Sequence, residues 1–484
     1  MSEKIPTRDV TPVDAGKQRR SPTEGGPGGQ LYASRRHIYV KRVTGVFNRF
    51  RKVSSWLLLL GFFLGSFVPY GDRQAILFDL PSRQFHIFGA TFFPHDFMLL
   101  AWLLIILAFL LFFVTNFVGR VWCGYACPQF VWTWLYIWVE DKVEGAPNQR
   151  KKLNEQTMNV NKFWRKFAKH GLWLLIALAT AIAFVGYFSP IQDLLPRLVR
   201  LELGPWETFW LGFFTFFTYL FAGWMREQVC IYMCPYARFQ SVMFDKDTLI
   251  VSYDAARGEP RGKRKKSDNP SEKGLGACID CDLCVQVCPV GIDIRNGLQY
   301  ECVTCAACID ACDQVMDKMN YPRGLIRYTT EEELAGRQTK FLRPRLLGYL
   351  AVLLAMVVAF TLVLGQRVPV ELEVLRDRNQ LMRITPQGMV ENSYLIRIAN
   401  MDQQPHRYTL TLRDAPEGLE LLAESVYTLA AGEVVQFPIR IHANPNILQT
   451  PAPAFDIQLQ LEAENVPHIQ RTRESRFIMR SPRS

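Results

Sequence analysis

Charge is scarce in this chain: Asp, Glu, Lys and Arg make up 21% of 484 residues, against 49% hydrophobic and 13% aromatic. That balance excludes a disordered chain, and the length excludes a single small domain. Histidine is scarcer still, at seven residues. Neither His86 and His95 nor His170 stands at ligand spacing, so a haem held by a histidine pair is poorly supported. No C-x-x-C-H run occurs, which excludes a c-type haem by motif. There is no P-loop, and no dinucleotide fingerprint in a strand–helix context. Twelve cysteines are too few for a disulfide scaffold in a chain this long, yet too ordered to be incidental. The formal charge of +11 would suit nucleic acid, but much of the basic excess flanks apolar runs, and no nucleic-acid partner is expected.

What the chain has in quantity is apolar runs of membrane length. Five are expected to span a bilayer, at 53–70, 97–119, 171–188, 207–224 and 346–365. At about 1.5 Å per residue, runs of this length suit about 30 Å of hydrocarbon. A sixth stretch, FVWTWLYIWV at 130–139, is too short and reads as interfacial or re-entrant, with Trp122, Trp132, Trp134 and Trp138 as anchors. A quinone pocket among these aromatics has no motif. Residues 1–52 hold 12 basic and 4 acidic residues, and loop 120–170 holds 9 and 4. Loops 71–96 and 189–206 hold only 2 basic residues each. This alternation places the N-terminus inside, and five crossings place the C-terminus outside. No cleavable signal peptide is expected, because the first apolar run starts at residue 53 and more spans follow.

The expected organisation is therefore a cytoplasmic, basic region at 1–52, whose first 30 residues read as disordered and whose segment 34–52 faces anionic lipid. A four-helix membrane region at 53–245 follows, then a cytoplasmic, cysteine-rich domain at 246–345 and a fifth membrane helix at 346–365. The basic spacer RGEPRGKRKKSDNPSEKG at 257–274 reads as a solvated linker. Residues 370–484 contain no cysteine and no lysine. Alternation in NSYLIRIAN (392–400), YTLTLR (408–413), VVQFPIRI (434–441) and AFDIQLQL (454–461) predicts about seven short strands and an immunoglobulin-like β-sandwich. The Cys…Trp…Cys spacing of antibody domains is absent.

The strongest signal is CIDCDLCVQVCP at 278–289, a C-x2-C-x2-C-x3-C-P run, repeated without its proline as CVTCAACIDAC at 302–312. Paired runs of this spacing are the signature of a two-cluster bacterial-type ferredoxin, in which the fourth cysteine of each run serves the other cluster. Cys278, Cys281, Cys284 and Cys312 are expected to hold one [4Fe-4S] cluster, and Cys302, Cys305, Cys308 and Cys288 the other. Two zinc sites with four thiolates each are the competing reading, but zinc chemistry does not explain the third cysteine and the x3 gap. The fold class is then a multi-domain membrane protein. It combines an all-α transmembrane bundle, a cytoplasmic dicluster ferredoxin domain and a C-terminal immunoglobulin-like sandwich.

The other four cysteines form two C-x3-C-P runs, CGYACP at 123–128 and CIYMCP at 230–235. Each follows two spans, which suggests a duplicated unit with both motifs on the cytoplasmic side. Cys123 with Cys127, and Cys230 with Cys234, stand at i,i+4 and are expected to share a helix face. Pro128 and Pro235 bend or stop the helix there. Such thiols suit Cu(I), zinc or an iron–sulfur cluster, or cycle through a disulfide; Met233 and Met225 could add a thioether. The spacing defines the pairs and leaves their convergence open.

The chain resembles the cytochrome c oxidase accessory proteins of the CcoG/FixG/RdxA type, which serve cbb3-type oxidases. The resemblance rests on GDRQAILFDLPSRQFHIFG (71–89), VGRVWCGYACPQFVWTW (118–134), VCIYMCPYARFQSVMFD (229–245), the two ferredoxin runs and the strand-rich tail. It implies a bacterial inner-membrane, multi-pass protein with a periplasmic tail. It also implies reduction of Cu(II) to Cu(I) for oxidase assembly, with Cys123, Cys127, Cys230 and Cys234 as the copper or redox thiols. The partners implied are oxidase subunits or copper chaperones and transporters, with an unidentified cytoplasmic electron donor. Whether the protein is then a cupric reductase or only an electron carrier, and whether it is a homo-oligomer, stays open. Two alternatives stand beside this reading: a quinol- or ferredoxin-linked conduit to another membrane reductase without copper chemistry, and a non-redox assembly scaffold.

Overall fold

The computed structural model describes residues 37–71, 73–266, 274–377, 382–424, 426–444, 454–466 and 468–479. The expected disordered tail, 1–30, lies outside the described residues.

Among the described residues, four helices are long and apolar enough to cross a bilayer: Phe97–Val118, Val160–Val185, Pro205–Met225 and Pro344–Gly365. The third expected span begins earlier than residue 171. Asn159 caps the helix, its side-chain oxygen accepting from the Lys162 amide at 2.7 Å.

The first expected span, 53–70, needs correction. The chain there forms a helix at Val46–Gly65 that takes in Arg49, Arg51 and Lys52. Its uncharged part, 53–65, extends only about 20 Å at the helical rise. The helix nonetheless runs between the two ends of the bundle. Its Asn48 amide donates to Asp310 of the cysteine-rich unit at 2.7 Å, and at its far end Tyr187 Oη donates to Phe62 O at 2.8 Å.

The tryptophan-rich stretch packs one face into the bundle and leaves Trp138 exposed. It lies in a helix at Pro128–Val143, too short to cross, whose Val131, Tyr136 and Val139 are buried. Tyr136 Oη donates to the Trp173 carbonyl at 2.9 Å and Trp173 Nε1 to the Tyr136 carbonyl at 3.1 Å. At the end of this helix the buried Glu140 meets Arg226 at 2.7 Å, Arg150 at 3.0 Å and Lys169 at 3.6 Å. Cations from two other helices and a connecting segment thus offset the desolvation of one carboxylate.

At the end of the bundle where Tyr187 lies, a three-stranded antiparallel sheet (Ile76–Asp79, Gln84–Ile87, Ala90–Phe92) receives the C-terminal domain. Arg367, just after the last membrane helix, ion-pairs with Asp96 and donates to the Thr91 carbonyl at 2.9 Å. Gln84 donates to the Gly432 carbonyl at 3.2 Å.

The C-terminal domain is two antiparallel sheets. One runs in the order Leu419–Leu422, Val434–Ala443, Val390–Asn400, Val370–Arg376, with Arg383–Ile384 also paired to Val390–Asn400. The other runs Val426–Leu429, His406–Arg413, Ala454–Ala463, Gln470–Ile478. Alternate residues Tyr394, Ile396 and Ile398 are buried in a core with Tyr408, Leu459 and Leu461. No disulfide ties the sheets; all twelve cysteines are free and lie elsewhere in the chain. Polar side chains bridge instead. Asn392 donates to the Ile478 carbonyl at 2.9 Å and accepts from the Ile478 amide at 3.1 Å, and Tyr394 Oη donates to the Arg476 carbonyl at 3.1 Å.

Asn392→Ala is expected to strand both Ile478 backbone groups in the core, destabilising the domain by about 2 kcal/mol. Hydrogen exchange of the full-length protein checks this: the Ile478 amide should lose protection while the helical bundle keeps its own.

Candidate functional site

The cysteine-rich unit is closed by a two-stranded antiparallel ribbon, Ile250–Tyr253 with Ile326–Thr329. Between the strands lie the two cysteine runs, identical in spacing. The middle cysteine of each run is bracketed by residues with left-handed backbone: Asp280 (φ 54°) and Asp282 (φ 55°) around Cys281, Thr304 (φ 54°) and Ala306 (φ 58°) around Cys305. Turns of this kind direct successive amides inward and form concavities that suit anionic iron–sulfur clusters. A β-branched residue in this region is costly, by about 1–2 kcal/mol. Thr304 is held there by Tyr328, whose hydroxyl donates to its carbonyl at 2.8 Å.

Around the first run one side chain does the holding. The Arg295 guanidinium is 2.7 Å from each of Asp280, Asp282 and Asp293, clamping both left-handed aspartates.

Two cavities result. Cys278, Cys281, Cys284 and Cys312 line the first, with Arg295 on its wall. Cys288, Cys302, Cys305 and Cys308 line the second, and Cys284 lies between the two. Among the described residues no three His, Cys, Asp or Glu side chains converge on a point that would hold a single metal ion. The thiols ring a space instead, and that donor set, with apolar walls and inward amides, fits a multi-atom cluster. Burial pushes the Cys302 thiol up to about 11 and those of Cys284 and Cys312 up to about 12, and raises Cys288 and Cys308 as well. Thiolates are disfavoured here until a bound cation compensates the desolvation.

The C-x3-C-P runs fold differently from the expected shared helix face. Cys123 lies in a short helix, Val121–Tyr125, but Cys127 is extended (φ −64°, ψ 125°) and precedes the helix that Pro128 opens. Cys230 lies in a π-helical turn, Val229–Met233, and Cys234 is likewise extended (φ −77°, ψ 109°) before Pro235. The physical reason is the proline, which drives the preceding residue out of helical conformation and is itself well placed at a helix start.

The duplication is written in the backbone. Cys127 N–H donates to the Trp122 carbonyl and Cys234 N–H to the Val229 carbonyl, at 2.9 and 2.8 Å, the acceptor standing at the same place before each cysteine. Gly119 (φ 57°, ψ −132°) and Arg226 (φ 48°, ψ −113°) make the same turn at equivalent positions ahead of the two motifs.

The two pairs do come together. Burial raises Cys230 to about 12, with the neighbouring Cys127, Cys123 and Cys234 adding to the shift. Burial also raises Cys123, opposed by the Arg120 cation beside it. Arg120 is itself buried, donating to Gln240 at 2.8 Å and to the Tyr300 carbonyl; Cys123 Sγ donates to the same Gln240 oxygen at 3.4 Å. Met233 is 50% exposed.

The thiol turn sits directly on the second cysteine run. Cys123 and Cys127 pack into one apolar cluster with Cys288, Cys305, Val303 and Phe130. A Cβ built on Gly124 would lie 2.7 Å from the Val303 carbonyl oxygen and 2.8 Å from Cys305 Cα, so only glycine permits this approach. On the other side Asp310, between Cys308 and Cys312, accepts from the Asn48 and Phe47 amides at 2.7 and 3.3 Å and so caps the first helix.

Sequence reasoning missed Gly124, Arg120, Gln240, Asp310 and Arg295. For Gly124 a signal existed: the second motif has Ile231 at the equivalent position, so the copies differ where one of them docks.

Comparison with known proteins agrees with this anatomy. A model of the 4Fe-4S dicluster domain matches residues 225–331, one of a 4Fe-4S binding domain residues 100–143, and one of the Ig-like fold at the C-terminus of FixG residues 360–480. The nitrogen fixation protein FixG of Rhizobium meliloti is 39% identical over 432 residues, covering 80% of this chain and 81% of that protein. In Cereibacter sphaeroides, RdxA is 41% identical over 406 residues (80% of this chain, 84% of RdxA). RdxB of the same organism is 40% identical over 452 residues (89% and 94%). The chain belongs to the FixG/RdxA/RdxB family, as a membrane-associated iron–sulfur electron-transfer protein with an immunoglobulin-like C-terminal domain.

Proposed function

We propose that the protein is a one-electron conduit of the bacterial inner membrane, linking a soluble cytoplasmic carrier to the four thiols Cys123, Cys127, Cys230 and Cys234, and through them to a membrane redox partner. The observation that carries this reading is the main-chain contact of Gly124 with Val303 and Cys305. A thiol turn has no packing need to approach a cluster-type loop so closely, whereas electron exchange favours short separation. The distribution of basic loops supports a cytoplasmic N-terminus and cysteine-rich unit, with the immunoglobulin-like domain in the periplasm.

In this reading Cys278, Cys281, Cys284 and Cys312 hold one [4Fe-4S] cluster, and Cys288, Cys302, Cys305 and Cys308 hold the other. Bound clusters of this type supply one-electron transfer. The chain's own residues position them: Arg295 fixes the loop around Cys281, Tyr328 the loop around Cys305, and Asp310 docks the whole unit on the first helix. Arg120 and Gln240 orient Cys123.

A second reading gives the thiols a metal substrate. Cu(II) would take one electron from the reduced carrier, and Cu(I), which soft thiolates prefer, would pass to subunits or copper chaperones of a cbb3-type oxidase under assembly. The gathering of two thiol pairs from separate motifs favours it, with Met233 as a further soft donor. That no three donors meet on one point among the described residues weighs against it.

Gly124→Val should keep the iron and sulfide of the parent protein but lose communication with the thiols. With those thiols oxidised beforehand by diamide, anaerobic, dithionite-reduced methyl viologen freed of excess dithionite should restore alkylatable cysteines in the parent, two viologen radicals and two protons per disulfide, and lag in the variant. Equal recovery in both would remove the conduit reading. For copper, the Cys230→Ser/Cys234→Ser protein should retain its clusters and lose Cu(I) formation from Cu(II). Copper stoichiometry and reduction unchanged from the parent would dismiss that role.

A further inference from the structure

The basic spacer is not suspended in solvent along its described length. Gly262 donates its amide to the Cys278 carbonyl at 3.3 Å, and Arg264 donates to the same oxygen at 3.4 Å. Arg264 also donates to Tyr321 Oη at 3.1 Å and lies 5.3 Å from that ring. Arg261 is 4.0 Å from Asp280, next to Cys281. The run RGKRKK at 261–266, cationic at every position but Gly262, is thereby pinned to the rim of the first cysteine cavity.

Three further observations give this strip a direction. Cys281 is exposed, while the other seven thiols of the two cavities are buried or half-buried. Lys263 and Lys266 are exposed and make no ion pair among the described residues. Arg295 engages the aspartates of the same rim, Asp280, Asp282 and Asp293, and together with the five cations of 261–266 it outnumbers them six to three, so the net charge of these groups is positive. The second cavity, by contrast, is covered by the thiol turn and offers no outward approach on that side.

We propose that strip 261–266 is the docking surface for a small acidic electron-carrier protein, which it steers onto the exposed Cys281 rim. An anionic lipid surface is the weaker match, since a headgroup has no use for the adjoining thiol loop and residues 34–52 already supply cations beside the first helix. Steering of this kind raises association rates by about 10- to 1,000-fold at low salt and fades as salt rises. The inference rests on the conduit reading and deepens it by naming the entry side and the partner's charge.

The test uses the full-length protein in phosphatidylcholine nanodiscs, with oxidised flavodoxin as the acidic probe and surface plasmon resonance as the readout. The parent should bind flavodoxin with an association rate that falls steeply with salt. Lys263→Glu/Lys266→Glu should lose about tenfold or more of that rate at low salt, together with its salt dependence. Reduced methyl viologen should reduce the clusters of both proteins equally, one electron per viologen radical; failure with both would count against the conduit reading, not the docking surface. Salt-insensitive binding by the parent, or unchanged binding by the variant, would overturn the proposal. So would a variant that loses phosphatidylglycerol vesicles yet keeps flavodoxin, which would make the strip a lipid contact.

Discussion

Two thiol-bearing loops can meet main chain to main chain only where one of them has no side chain. Gly124 is that place, and the rest of the architecture arranges for it to be reached. The turn at Gly119 reverses the chain after the most apolar helix, and Pro128 forces Cys127 into an extended conformation and opens the next helix. Tyr328 holds Thr304 in its strained conformation so that the opposing loop presents backbone instead of side chain. Without the close approach, the thiol turn and the second cysteine run would lose their main-chain contact, and the unit would be held to the bundle by contacts such as that of Asp310 with the first helix.

Duplication supplied the parts, and asymmetry assigned them. Both motifs close with the same backbone hydrogen bond and follow the same positive-φ turn. In the second copy the turn residue is Arg226, which bears backbone strain that a glycine would avoid. Its side chain explains the choice: it ion-pairs with the buried Glu140 and lies over Trp173. The second copy thus anchors the bundle, while the first, with a glycine where the second has Ile231, faces the ferredoxin-like loops.

The sequence made the architecture legible where a residue pattern reports directly on geometry. Cysteine spacing identified the dicluster domain, alternation in segments such as NSYLIRIAN revealed the sandwich, and the recurrence of C-x3-C-P after each pair of apolar runs revealed the repeat. Errors arose where two local rules competed. The i,i+4 spacing of Cys123 and Cys127 argued for one helix face, but the following proline overrode it. Val53 looked like a helix start because the charges precede it, yet helix formation tolerates Arg49, Arg51 and Lys52 and starts at Val46. The stretch 130–139, by contrast, is a helix too short to cross, as its length implied, and its Tyr136 exchanges hydrogen bonds with Trp173 inside the bundle. Gly124 and Asp310 were invisible for another reason: their partners, Cys305 and Asn48, are far away in sequence, and a single chain carries no record of such pairings.

The cap that Asp310 places on the helix Val46–Gly65 bears on biogenesis. The acceptor lies 262 residues downstream of the Asn48 amide it satisfies. During synthesis the first helix therefore lacks this cap until almost two-thirds of the polypeptide has emerged. Asp310 also stands between Cys308 and Cys312, which belong to different cavities, on the helix Ala307–Met319, so its carboxylate reaches its final position only once that helix has docked. Placement of the cysteine-bearing helix and capping of the N-terminal helix are in this way coupled across the length of the chain.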